Sequence, residues 1–225
     1  MIAAQPLFQW SYVSGQWGAI SSDLLQHISL SLIALGIGLV ISLPLALGAW
    51  YFRILRGPVI GFASALYIIP SLALFAILGP ITGFVASYPT AEIALVGYTL
   101  LILIWNTVAG LDAVPADARE AATALGYSTP RRLVFVDLPL ALPYVFAGMR
   151  VAAATVIGLV TVTALIGLGG LGQQITYGFN IGFYTPIIVG LVLSVLLAAV
   201  CDLLLVAIQR VLVPWTRAAS SRRPA

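Results

Sequence analysis

Apolar residues dominate five stretches of the chain, at about 28–52, 58–79, 91–111, 143–168 and 186–213, and polar residues gather between them. Each stretch matches or exceeds the roughly 20 residues that an apolar helix needs to cross the hydrocarbon core. The pattern predicts an all-α integral membrane protein with about five transmembrane helices. The first 27 residues read differently. They carry Trp10, Tyr12 and Trp17 and end in an amphipathic stretch at 20–26, which predicts an interfacial segment leading into span one. Six spans is the alternative count, and Ser21, Ser22, Asp23 and Gln26 argue against it. No basic region precedes span one, so a cleavable signal peptide is not expected.

Charge gives the bundle a direction. Arg53 and Arg56 fall between spans one and two. Arg119, Arg131 and Arg132 fall between spans three and four, and Arg150 lies near the start of span four. Arg210, Arg217, Arg222 and Arg223 close the chain. The first 27 residues and the connections at 80–90 and 169–185 contain none. With five spans, all ten Arg lie on or near one side, and the positive-inside bias makes that side cytoplasmic. The N-terminus is then outside and the C-terminus cytoplasmic. Three parts follow: 1–27 as an extracytoplasmic interfacial segment, 28–213 as the transmembrane domain with a cytoplasmic loop at 112–139, and 214–225 as a cytoplasmic tail.

Composition agrees with this picture. The chain is 61% hydrophobic and 8% charged, with a mean hydropathy of +1.10. Soluble domains sit near roughly 45–50% and about 25%. A soluble enzyme, a disordered chain and a disulfide scaffold are excluded. The net charge of +3 comes without an Arg-rich face or a stacking motif, so nucleic acid is not an expected partner. A single Cys201 and a single His27 cannot build a Cys/His metal site, and Cys201 reads as an inert thiol in an apolar run. Trp50, Tyr51, Phe52 and Trp215 read as anchors at the inner interface. Tyr88, Tyr177, Phe179, Phe183 and Tyr184 read as anchors at the outer one.

Polar groups inside the spans are few. For the hydroxyls of Ser71, Thr161 and Thr163 the default is a bond back to their own helix. Asn106 is harder to satisfy locally, and it either joins helices or faces a pathway. Asp202 stands as the one clear acid within a span. An ionised carboxylate at mid-membrane costs roughly 2.5–3.5 kcal/mol on insertion scales. Asp202 therefore either pairs with an Arg or sits shallow enough to be hydrated. Arg150 reads as an inner-interface anchor. Pro44 and Pro70 should bend their helices, and Gly148, Ala152, Ala153, Ala154 and Gly158 allow neighbours close to span four.

The segment LDAVPADAREAATALGYSTPRRLVFVDLPLALP is the one long polar stretch inside the chain. Pro115 suits a first helical position, and Asp117 then complements the helix dipole. Ala116, Ala118, Ala121, Ala122 and Ala124 favour helix, and Gly126 is a stop. Ser128 or Thr129 can cap a second helix with Pro130 as its first residue. The loop thus predicts two short helices and a sharp turn, before Pro139 and Pro143 return the chain to the membrane. Connections this long without a function are uncommon.

Here a resemblance enters. Glu120-Ala121-Ala122, then Gly126, then Val136-Asp137-Leu138-Pro139 resembles the EAA loop of ABC importer permeases. That pattern is E-A-A, three residues, G, nine residues, I, one residue, L-P. Val136 replaces the usual Ile, and the other positions match. More of the chain is similar to the osmoprotectant branch of that family. The similar segments are Ile69-Pro70-Ser71-Leu72-Ala73-Leu74, Asn106-Thr107 with Gly110, Leu138-Pro139-Leu140-Ala141-Leu142-Pro143, Ala147-Gly148-Met149-Arg150, and Ile166-Gly167-Leu168-Gly169-Gly170-Leu171-Gly172. The last run is shared with methionine-type permeases.

The resemblance implies a methionine-importer-like permease bundle in a bacterial-type cytoplasmic membrane, without catalytic residues. It implies two ABC ATPase subunits that bind ATP and magnesium, so that this chain needs no cofactor of its own. It also implies a second permease, identical or homologous, and a separate extracytoplasmic substrate-binding protein. The implied cargo is a quaternary amine such as glycine betaine, choline, carnitine or proline betaine, with methionine or another amino acid as the rival. Arg119, Glu120, Ala121, Ala122, Gly126, Leu138 and Pro139 would couple the chain to the ATPase. Pro70, Ser71, Asn106, Thr161, Thr163, Gly167, Gly169, Gly170 and Gly172 would form the pathway or gate, the glycine run acting as a flexible outer end of span four. A stand-alone secondary transporter is the alternative of another class, and neither an inverted repeat nor a set of intramembrane acids supports it. A membrane-embedded enzyme would need clustered His, Asp or Glu in the spans.

Overall fold

The computed structural model describes residues 7–83 and 87–215, and every regular element in them is helical. In chain order these are α1 (Trp10–Gly15), α2 (Trp17–Tyr51), α3 (Arg53–Ile68), α4 (Ser71–Thr82) and α5 (Tyr88–Asp112). Then come α6 (Ala116–Ala124), α7 (Thr129–Arg132), a π turn (Leu133–Asp137), α8 (Leu138–Thr163), a 3-10 turn (Ala164–Ile166), α9 (Gly172–Ile181) and α10 (Tyr184–Leu212). Most of the expected tail, with Arg217, Arg222 and Arg223, lies outside the described residues.

Four segments are long and apolar enough to cross a membrane, and α3 with α4 makes a fifth if the bent pair is one span. The first helix is longer than expected. α2 has 35 residues, or about 52 Å at 1.5 Å per residue, against a hydrocarbon core of about 30 Å. The boundary expected at 27/28 therefore falls inside one continuous helix, because Ser21, Ser22, Asp23 and Gln26 tolerate helix without being apolar. Pro44 does not interrupt it.

Span two is broken rather than merely bent. α3 and α4 meet at 103°. Pro70 disfavours the helical region for Ile69, which is extended at φ −62°, ψ 126°. The Tyr98 hydroxyl donates to the carbonyl of Ile69, so a carbonyl released at the break keeps a partner in an apolar setting. Leu74 and Phe75 of α4 then bury against Ala91, Ala94 and Tyr98.

α5 is the centre of the bundle, with α2 on one side and α8 on the other. Small residues let the backbones approach, as expected where apolar burial alone cannot drive helices together in lipid. A Cβ on Gly38 of α2 would lie 1.9 Å from Thr99 Oγ1 of α5. A Cβ on Gly148 of α8 would lie 2.7 Å from Asn106 Cβ, and one on Gly110 would lie 2.6 Å from Tyr144 Cβ. The Asn106 amide donates to Ile102 O at 2.8 Å within its own helix. It meets Gly148 as a packing neighbour, and its own turn supplies the partner that the sequence did not reveal.

α7 does not end at a membrane boundary. It continues through the π turn, so that 129–166 forms one helical run of 38 residues containing Pro139 and Pro143. Asp202 of α10 has a partner, because Arg150 of α8 donates to both of its carboxylate oxygens, one at 2.9 Å. Arg150 lies about three turns from the start of α8 and Asp202 about three turns from the end of α10, and the pair is roughly two-fifths exposed. Arg150 is thus the counter-ion of Asp202 rather than a free anchor. Arg150→Met leaves an unpaired carboxylate in an apolar span, whereas Arg150→Met with Asp202→Leu removes both charges. Immunoblots of membranes should show less inserted permease for the single variant than for the double one.

Candidate functional site

The loop that carries the sequence motif folds as α6, a turn and α7. Pro115 occupies the cap before α6 rather than its first turn, and Asp117 lies in that first turn. The helix ends in a Schellman motif. Gly126 N–H donates to Thr123 O at 2.9 Å and Tyr127 N–H to Ala122 O at 3.0 Å. Gly126 takes φ +82°, which glycine adopts without strain. Ser128 caps α7 by position, without a side-chain bond.

The seven expected coupling residues do not form one surface. Glu120, Ala121 and Gly126 are exposed. Ala122 is buried beneath α6. Leu138 and Pro139 are half-buried at the head of α8. Arg119 turns inward, with its Nε donating to Asp137 Oδ1 at 2.8 Å and Nη2 donating to Leu111 O at the end of α5. Its guanidinium carbon lies 5.3 Å from the ring centroid of Trp50, on the last turn of α2. Trp50 is therefore more than an interfacial anchor. Two residues of this site escaped the sequence reading. Leu125 is 78% exposed beside Gly126, an apolar side chain offered outward. Asp137 stands at the unassigned position of the motif and is fully buried. Beside them, Arg119, Glu120, Thr123, Ala124 and Arg132 line a groove of about 320 Å³.

The pathway candidates divide in the same way. Pro70 makes the break between α3 and α4, and half-buried Ser71 begins α4. Thr161 and Thr163 donate to Gly158 O at 2.7 Å and Val160 O at 2.8 Å. Both hydroxyls thus take the local bonds that such side chains prefer in helices. The glycine run forms a turn with two bonds to the start of span one. Gly167 and Gly170 adopt φ +79° and +96°. Gly170 N–H donates to Gln26 Oε1 at 3.2 Å, and Leu171 N–H donates to His27 Nδ1 at 3.2 Å. His27 Nε2 then donates to Ile157 O at 3.0 Å, which fixes a neutral ring between α2, α8 and the turn.

Gly167 and Gly169, with Asp23, Gln26, Tyr88 and Gln173, line a polar cleft of about 460 Å³ at the end of the bundle opposite α6. Tyr12 of α1 donates to Gln174 Oε1 at 2.7 Å, and Gln174 donates to Asp23 at 2.6 Å. The early polar residues are thus a scaffold for the cleft. Glu92, one turn inside α5, corrects the expectation of a single intramembrane acid. Both of its carboxylate oxygens are buried without a hydrogen-bond partner.

A family model described as Binding-protein-dependent transport system inner membrane component matches residues 18–218. The chain is 35% identical over 206 residues to the Osmoprotectant import permease protein OsmW of Salmonella typhimurium, covering 90% of this chain and 96% of that protein. It is 34% identical to the Glycine betaine/carnitine/choline transport system permease protein OpuCB of Bacillus subtilis, covering 84% and 86%. An inward-facing structure of the MetNI methionine ABC transporter superposes with a TM-score of 0.76 at 22% identity, covering 88% of this chain and 98% of that one.

Proposed function

This chain belongs to the family of binding-protein-dependent transport system inner membrane components, and from that premise we propose the following function. It is the membrane-spanning subunit of an ABC importer that carries quaternary-amine osmoprotectants inward, driven by ATP hydrolysis in a separate ATPase. One ATPase docks on α6 and a second on the matching helix of a second permease, which completes the pathway, and an extracytoplasmic binding protein delivers the cargo. ATP and magnesium belong to the ATPase. The arginine-bearing end then faces the cytoplasm and the polar cleft faces outward.

The observation that carries the cargo assignment is the naming of relatives at 34–35% identity over most of the chain for osmoprotectant, glycine betaine, carnitine and choline transport. The likeness to the methionine transporter carries the fold alone.

Transport then requires two arrangements of the bundle close enough in energy for partners to bias. α6 presents Glu120, Ala121, Leu125 and Gly126 to the ATPase. The broken pair α3–α4 and the cleft at the other end are the elements that a movement of the bundle would open or close.

The test is reconstitution of the permease with its ATPase and binding protein in liposomes. Uptake of labelled betaine, choline and carnitine should require ATP, and unlabelled methionine should not compete. Competition by methionine would move the cargo to amino acids. Uptake by the permease alone, driven by an ion gradient, would overturn the assignment to an ABC importer.

A further inference from the structure

We infer that Asp137 is the positioning residue through which movement of α6 reaches the spans, the Arg119–Asp137–Arg132 triad acting as the link. The inference rests on α6 being the helix that docks the ATPase. α6 has nine residues, and Ala122 is the one among them that is buried. So little apolar contact cannot hold a short helix in register against a partner that pulls on it. A lone methyl group contributes little at about 25 cal/mol per Å² of buried apolar surface. The connection is polar instead.

Asp137 is fully buried in the π turn that heads α8. It accepts from Arg119 Nε at 2.8 Å and from Arg132 Nε at 3.3 Å. Arg119 also reaches the last carbonyls of α5 through Leu111 and the end of α2 through Trp50. One side chain of α6 thereby touches the ends of three spans. The ring closes through Thr123. Arg132 Nη1 donates to Thr123 Oγ1 at 3.4 Å, and that hydroxyl donates to Arg119 O at 2.8 Å.

Buried ion pairs are weak evidence for stability, and their best-attested use is to fix register. Fixing register is what a coupling element needs. If the carboxylate loses its charge, two guanidinium groups face each other across the joint. α6 then moves without α5 and α8, and a displacement imposed by the ATPase is absorbed in the loop. The neighbouring Arg56–Asp112 pair, 44% and 43% exposed, ties α3 to α5 and does not touch α6.

The experiment measures transport per ATP hydrolysed in the reconstituted complex. Asp137→Asn keeps the shape of the side chain and removes its charge. Transport per ATP should fall about tenfold, within the roughly 5–150-fold range of inter-site couplings. Asp137→Glu should recover most of it, and the assembled complex should still hydrolyse ATP. A second variant, Thr123→Val, alters an exposed residue and opens the ring without touching the buried charge, so it tests the link even if Asp137→Asn fails to insert. It should lower transport per ATP about threefold, the effect of about 0.6 kcal/mol. Unchanged transport per ATP in Thr123→Val and in any inserted Asp137→Asn overturns the inference. So does a parallel fall of transport and hydrolysis, which marks a merely structural role. Wild-type complex without ATP-driven uptake overturns the function itself, which separates the two failures.

Discussion

Gly126→Pro should abolish ATP-driven uptake while leaving the permease inserted in the membrane. The turn after α6 demands two things of residue 126, a backbone at φ +82° and an N–H that closes onto Thr123 O at 2.9 Å. Proline fixes φ near −65° and has no N–H, so it fails both. Alanine keeps the N–H but meets the left-handed strain of about 1–3 kcal/mol, so Gly126→Ala should be intermediate. The spans lose no hydrogen bond in either variant, since the bonds of the turn involve α6 and Tyr127. Glu120→Arg tests the same surface without backbone strain, because Glu120 is exposed. The measurements are uptake, ATPase stimulation by the loaded binding protein, and permease content of the membrane by immunoblot. Uptake and stimulation that persist in Gly126→Pro would show that α6 does not couple to the ATPase.

The sequence and the structure agree most where information is local. The first short helix of the loop, the stop at Gly126 and the apolar character of the spans depend on neighbours in sequence and are legible there, whereas α7 runs on into α8. Pro70 announced a bend, because a proline constrains the residue before it. The 103° angle could not be read, nor could the bond from Tyr98, 29 residues away, to the carbonyl released at the break. Asp137 was hidden for the same reason. Its partner Arg119 is 18 residues away, and the motif assigns no residue type at its position. Ala122 looked like contact surface, yet its side of α6 faces the bundle. The polar residues at 21–26 argued against helix in the membrane. They do not argue against helix beyond it, and α2 uses Gln26 and His27 to hold the glycine turn.

The glycine run admits two readings, a flexible gate and a tightly packed seat. Flexibility and close packing both call for glycine, and they predict different variants. A Cβ on Gly172 would lie 2.1 Å from Thr161 O and 2.8 Å from Thr161 C, a wall of backbone on α8 that cannot rotate aside. Gly172→Ala should therefore separate the start of α9 from α8. Overpacking of this kind costs about 1–3 kcal/mol and occasionally more. Gly172→Val should prevent α9 from docking. The polar cleft opposite α6 would lose its floor, because Leu168 and Gly169 are held between Thr163 and Gln173. Gly158→Ala is the control, since a Cβ there meets nothing within 4 Å. Thermal melts of the detergent-solubilised permease should show Gly172→Ala well below wild type, Gly172→Val lower still and Gly158→Ala unchanged, with uptake lost in the same order. A hinge predicts otherwise: slower uptake at an unchanged melting temperature. That result would return the run to the role of a moving gate. A lowered melting temperature instead makes it a rigid seat, and the motion of transport then belongs to the helices on either side of it.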